Sequence, residues 1–207
     1  MTGREDPLEP IATMNPTISN VEKQTQSLIP LIKNYFENNF KDSIHSHIQP
    51  ILVSDTGSRT FGFPTFKSDF DLHFIFLQKN VLEYFSIRDG IPKEPSLEFQ
   101  FHVKDDTYSN QLVEVNAVGW DLIYFLRLLQ KNNPAVVHCI MSNNICYLHP
   151  EFEEDVGKWR GIIATSLSKL GYFQSSLSIV KNNIHRYFTK TNEKEMRVKI
   201  YLYTIQF

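Results

Sequence analysis

The sequence predicts an α+β fold: a small mixed β-sheet with flanking helices, followed by an all-helical C-terminal lobe. Three observations predict it. Apolar residues recur at helical spacing from Thr17 to about Phe40. Apolar runs of strand length cluster between residues 51 and 118. Beyond residue 120 the apolar stretches return mainly to helical spacing. The implied boundaries are a disordered tail over 1–16, a mixed domain over 17–150 and a helical lobe over 151–207.

Taken in order, the tail carries Pro7, Pro10 and Pro16 and few apolar residues, so it is expected to lack a helix. In the first helical region Val21, Leu28, Leu31, Ile32, Tyr35 and Phe36 mark one face. Pro30 interrupts that pattern, which predicts two short helices or a kink. A strand is expected from Ile51 to Ser54 and a second from Phe70 to Leu77, with an irregular turn from Asp55 to Ser68 between them. A short helix follows over 80–86, and Asp89-Gly90 with Pro92 forms a loop. Ser96 to Val103 and Leu112 to Val118 read as a hairpin. Helices are expected over 120–131, from Pro134 with Asn133 as its cap, and from Pro150 with Glu151, Glu153, Glu154 and Asp155 in its first turns. Lys169 and Gly171 are expected to close that last helix. Two more helices are expected over 172–188 and 193–207. The final apolar pattern still runs at residue 207, so a truncated homologue or a fragment is expected.

Composition narrows the class. A net charge of −2 over 207 residues argues against a general nucleic-acid binder, which is usually basic. No stretch approaches the roughly 18 apolar residues of a membrane span, and the N-terminus has no signal-peptide core. Cys139 and Cys146 match no zinc spacing and suit reduced thiols in a cytoplasmic protein.

The chemistry concentrates in ILVSDTGSRTFGFPTFKSDFDLHFIFL, residues 51–77. On a strand, Asp69 and Asp71 point the same way, with Cα atoms about 6.6 Å apart. Two such carboxylates can hold metal ions about 3.5–4 Å apart, and hard oxygen ligands favour Mg²⁺, with Mn²⁺ in its place. Gly57 lets the backbone approach a phosphate, and the Ser58 hydroxyl can donate to one. Arg59 is a candidate for added positive charge. His73 shares the aspartate face, as a phosphate contact or a structural histidine. His45 and His47, with no third ligand near, read as surface residues. Asp121 reads as a helix cap, Trp120, Tyr124 and Phe125 as core, and Arg127, Lys131, Lys181, His185, Arg186 and Lys190 as solvated charge.

Gly57-Ser58, followed after ten residues by Asp69-x-Asp71, resembles the signature of the DNA polymerase β-type nucleotidyltransferase superfamily. The longer string GSRTFGFPTFKSDFDLHFIF resembles the nucleotidyltransferases predicted beside RNA ligases. A second block, VGWDLIYFLRLLQKNNPAVVHCIMSNNICY, is similar to that family's Gly-Trp-Asp helix, its Asn-Pro and the following helix ending in a short strand. The resemblance covers about residues 50–205. It implies a nucleotidyltransferase fold and transfer of a nucleoside monophosphate from an NTP to an acceptor, with an RNA end as one candidate. Gly57, Ser58 and Arg59 would then bind the nucleotide, and Asp69 and Asp71 would hold Mg²⁺. The family places a third acid a few residues before Gly119-Trp120, where this chain offers Glu114 and then Asn116. Glu114 would complete the catalytic and metal set; Asn116 would leave it short. The alternative reading is a catalytically weak or inactive nucleotide- or RNA-binding relative, and a protein acceptor is a further option.

Overall fold

The computed structural model describes residues 16–60, 62, 64–65, 68–85, 94–106 and 111–188. The expected tail to residue 15, the 89–92 loop and the helix expected at 193–207 lie outside the described residues. Helix α1 spans Pro16–Glu37, and β1 spans Ile48–Asp55. Next come β2 at Phe70–Gln78, the single turn α2 at Leu82–Phe85, β3 at Ser96–Asp105 and β4 at Gln111–Asp121. Helices α3 (Leu122–Gln130) and α4 (Pro134–Met141) precede β5 (Ile145–Leu148), and α5 (Glu153–Ser166) and α6 (Lys169–Phe188) follow it.

The five strands form one mixed sheet in the order β3-β4-β2-β1-β5. β2 and β4 run parallel, with Asp71 beside Asn116 and Phe74 beside Gly119. The remaining pairs are antiparallel. The architecture is the expected α+β one.

Alternation along β2 explains the two layers of core. Phe70, Leu72, Phe74 and Phe76 point to one face, where Leu28, Ile32 and Phe36 of α1 cover them. Ile75 points to the other, beside Trp120, Phe125, Val136, Ile140, Val156 and Ile163 from β4 and helices α3 to α5. Burying a side chain of this size contributes about 1.5–3 kcal/mol. Trp120 and Phe125 therefore serve packing, as expected. Cys139 and Cys146 are both buried free thiols. Burial pushes each up to about 12, so neither is a ready nucleophile.

Several boundaries differ from expectation for identifiable reasons. Pro30 lies inside α1 rather than between two helices. It is exposed, as is Gln26, so water can reach the carbonyl whose bond a proline removes. Trp120 and Asp121 belong to β4, and the helix starts at Leu122. Asp121 caps it as expected, its carboxylate accepting from Ile123 N at 2.8 Å and from the Tyr84 hydroxyl at 2.7 Å. Asn133 likewise caps α4 by accepting from Ala135 N at 2.9 Å. Lys169 and Gly171 do not close α5; they open α6, where Ser168 Oγ accepts from Gly171 N at 3.1 Å. A serine cap has outweighed the glycine signal. Gly119 is required by close approach, because a Cβ there would lie 2.2 Å from the Phe74 ring.

Among the described residues, no helix is long and apolar enough to cross a membrane.

Candidate active site

The turn that leaves β1 is held from all sides. Thr60 N donates to Gly57 O at 3.1 Å, closing a four-residue turn, and Thr56 N donates to Asp71 O at 2.9 Å. The Asp55 carbonyl accepts from Thr60 Oγ1 at 2.6 Å and from Ser142 Oγ at 2.8 Å. Asp55 N donates to Asn144 O at 2.9 Å, and Asn144 Nδ2 donates to Thr60 Oγ1 at 3.1 Å. Arg160 on α5 donates to the carbonyls of Ile140 (2.7 Å) and Ser142, fixing the segment that fixes the turn.

The two aspartates are brought against this turn. Asp71 presses on Gly57: a Cβ at residue 57 would lie 2.7 Å from Asp71 Oδ2. Glycine is there because the carboxylate needs that space. Asp69 lies two residues earlier, just before β2 begins, and its Oδ2 accepts from Asn116 Nδ2 at 3.1 Å. Asn116 Oδ1 accepts in turn from Gln100 Nε2 at 2.6 Å. β3, β4 and the residue leading into β2 thus contribute to one polar chain, with an amide touching Asp69. Glu114 lies two residues earlier on β4, opposite His102, and is exposed. It shares the face of Asn116 by strand alternation. Among the described residues, no three His, Cys, Asp or Glu side chains gather into a group that could hold a metal ion.

Arg59 is engaged with the protein itself. Its guanidinium donates to the carbonyls of Asp69 (2.5 Å) and Ser68 (2.9 Å), and to Thr25 Oγ1 (3.2 Å). It also stacks 3.6 Å above the Phe70 ring. It ties the turn to α1 and to the entry of β2. Ser58 is 1% exposed, and its hydroxyl has no hydrogen-bond partner among the described residues.

Sequence reasoning missed Asp55. Its Oδ1 accepts from Gly57 N at 2.9 Å, while Oδ2 is buried without a partner among the described residues. Burial pushes its carboxyl up to about 6, opposed by the Gly57 N–H and by Arg59. The available signal was an acid two residues before a glycine at the end of an apolar strand, an Asx-turn pattern. His73 is structural: Nδ1 bonds Thr56 Oγ1 at 3.0 Å, and its ring lies 4.9 Å from that of Trp120. Burial, helped by His138, pushes it down to about 4, so it is neutral at physiological pH. His45 packs against Phe99 at 4.9 Å, and His47 pairs with Glu94 at 3.1 Å, both in a turn rather than on a strand. On α6, Lys181 and His185 are exposed. The Arg186 side chain and Lys190 lie outside the described residues.

Against known proteins, the chain shares 24% identity over 159 residues with the uncharacterized protein YcgL of Bacillus subtilis strain 168. That alignment covers 77% of this chain and 54% of the relative, so the chain spans about half the length of the curated relative it matches. The crystal structure of a nucleotidyltransferase-like protein from Exiguobacterium sibiricum 255-15 superposes with a TM-score of 0.35 at 12% identity. It covers 80% of this chain and 46% of the other, a likeness too low to carry an argument. A family model described as the RNA repair pathway DNA polymerase beta family matches residues 32–207.

Proposed function

Because the chain belongs to the RNA repair pathway DNA polymerase beta family, we propose that it transfers a nucleoside monophosphate from an NTP to an acceptor hydroxyl. The observation that carries this reading is the contact of Asp71 with the Cβ-less face of Gly57, with Asp69 two residues earlier at the entry to β2. It sets one carboxylate directly against a hydrogen-bonded turn with a second beside it, an arrangement that suits a metal-bound triphosphate.

The residues fit Mg²⁺. Asp69 and Asp71 are hard oxygen donors, and Mg²⁺ is commonly held by one or two carboxylates with phosphate oxygens completing its shell. Bound there, the ion supplies charge neutralisation of the triphosphate and of the departing pyrophosphate. The protein's own part is positional. Asn116 fixes the orientation of Asp69. The turn at 57–60 receives the phosphates, and Arg59 keeps that turn in register with β2. The acceptor oxygen forms a bond to the α-phosphorus as the bond to the β-phosphate oxygen breaks. In this reading Glu114, on the same face, takes the acceptor proton. An RNA end is the proposed acceptor, on the strength of the family alone, and the cytoplasm the proposed compartment.

One observation favours a second reading. The side chain that touches Asp69 from β4 is the neutral Asn116, not a carboxylate, which suits a protein that binds a metal-nucleotide without turning it over. Transfer of label from an α-labelled NTP separates the two. Activity lost in both Asp69→Asn and Asp71→Asn supports the transferase. Activity retained in both sinks it. Metal-dependent NTP binding by calorimetry, with no transfer to RNA or to co-purified protein, supports the binder.

A further inference from the structure

Two polar groups beside the proposed phosphate site have no partner among the described residues, although polar groups in folded proteins are rarely buried unpaired. They are Asp55 Oδ2 and Ser58 Oγ, on residues each 1% exposed. They flank Gly57, which meets one carboxylate at its N–H and another where its Cβ would stand. Neither contact is an accident of a loose loop, since the same turn is bonded by Thr60, Ser142, Asn144 and His73 through Thr56. We infer that Asp55 is the positioning residue of this turn: by accepting the Gly57 N–H it sets the backbone so that the Ser58 hydroxyl is the donor left for a phosphate of the nucleotide. The inference rests on the proposed nucleotide site and goes beyond it, because it assigns the shape of the turn to an acid that binds neither metal nor phosphate.

The chemistry separates Asp55 from a residue that merely stabilises the fold. What the role requires is an acceptor oxygen at that point; the charge is dispensable. Asparagine keeps an oxygen in the same place and alanine does not. An Asx-turn residue replaced by alanine releases the N–H it held.

The test is binding of Mg²⁺ with each of four fluorescent NTP analogues to the full chain. Wild type, Asp55→Asn, Asp55→Ala and Ser58→Ala are compared, with the Gly57 amide followed by NMR. The inference expects Asp55→Asn within about twofold of wild type in Kd. It expects Asp55→Ala and Ser58→Ala to be weakened at least about tenfold, the cost of a turn released from its acceptor or of a lost phosphate hydrogen bond. The Gly57 amide should keep its hydrogen-bonded shift in Asp55→Asn and lose it in Asp55→Ala. Equal affinity of Asp55→Ala and wild type overturns the inference while leaving the nucleotide site standing, as does tighter binding by Asp55→Ala. Equal weakening of the alanine and asparagine variants also overturns it. If Asp55→Ala does not fold, equal affinity of Asp55→Asn and wild type with a retained Gly57 shift supports the role, and weakened Asp55→Asn overturns it. If wild type binds no analogue, the nucleotide site and this inference fall together.

Discussion

Asp55 and His73 both bond the same turn, and burial displaces the titration of each, in ways that nearly mask each other. The folded-state value of Asp55 is raised, from 3.8 to about 6. Its contribution to stability is therefore full below about 3.8 and lost as pH rises through about 6. His73 is lowered from 6.5 to about 4, so its contribution is present above 6.5 and lost as pH falls through about 4. Each is worth about 3 kcal/mol at most, since a tenfold change in proton affinity corresponds to about 1.36 kcal/mol. The two slopes oppose each other across one window, and only single variants expose them. Asp55→Asn should gain stability relative to wild type as pH rises from 4 to 7. His73→Gln should lose it over the same range. Urea unfolding at a series of pH values reads both, and parallel curves for wild type and variants would refute the assignment. At this scale Gly57, Ser58, Asp69 and Asp71 were legible as spacing alone. The engagement of Arg59 was not, because its acceptors are backbone carbonyls nine and ten residues on. Nor was the choice between Glu114 and Asn116, which depends on a parallel register between β2 and β4 that no local pattern encodes.

Among the elements, α5 does more for the candidate site than its distance along the chain suggests. Arg160 holds the carbonyls of Ile140 and Ser142 at the end of α4, and the Ser142 hydroxyl holds the carbonyl of Asp55. Arg160→Ala removes two charge-assisted bonds and should destabilise the protein by about 1.5–3 kcal/mol. It should also weaken NTP binding in the folded fraction, which a purely local defect in α5 would not do. Chemical denaturation and NTP titration of the same sample check the two effects separately. The elements themselves were largely legible, since α3, α4 and the four longer strands follow their periodicities. The errors fell at ends, where side-chain capping decides. Asp121 and Ser168 each mark a helix start that apolar spacing had placed elsewhere. Pro30 misled because its cost depends on whether the freed carbonyl meets water, which spacing does not report.

For the whole molecule, the candidate site draws on β1, β2, β3, β4 and the 142–144 segment, so a ligand bound there would add to global stability. A nucleotide present at about a hundred times its Kd adds about 2.7 kcal/mol, or about 5–10 °C in melting temperature for a chain of this size. Mg²⁺ with NTP should produce that rise in wild type. In Asp69→Asn it should be absent while the ligand-free melting temperature stays near that of wild type. An equal rise in the variant would place nucleotide binding elsewhere. The α+β class was legible because helices and strands segregate along the chain. The strand order β3-β4-β2-β1-β5 was not, since nothing in the sequence announces that β2 pairs with β4 across the intervening hairpin strand.

The bond from Ser142 to Asp55 spans 87 residues, and it sets a schedule for the chain as it is made. At synthesis rates of about 5–20 residues per second, the turn at 55–60 waits roughly 4–17 s for its anchor to be translated. During that interval the ribosome carries a nascent chain with Asp69 and Asp71 already made and the Ser142 anchor of the turn still missing. On the proposed reading, a nucleotide would stabilise this protein only once the Ser142 anchor is in place, as a ligand of the completed fold and not as a nucleus for it.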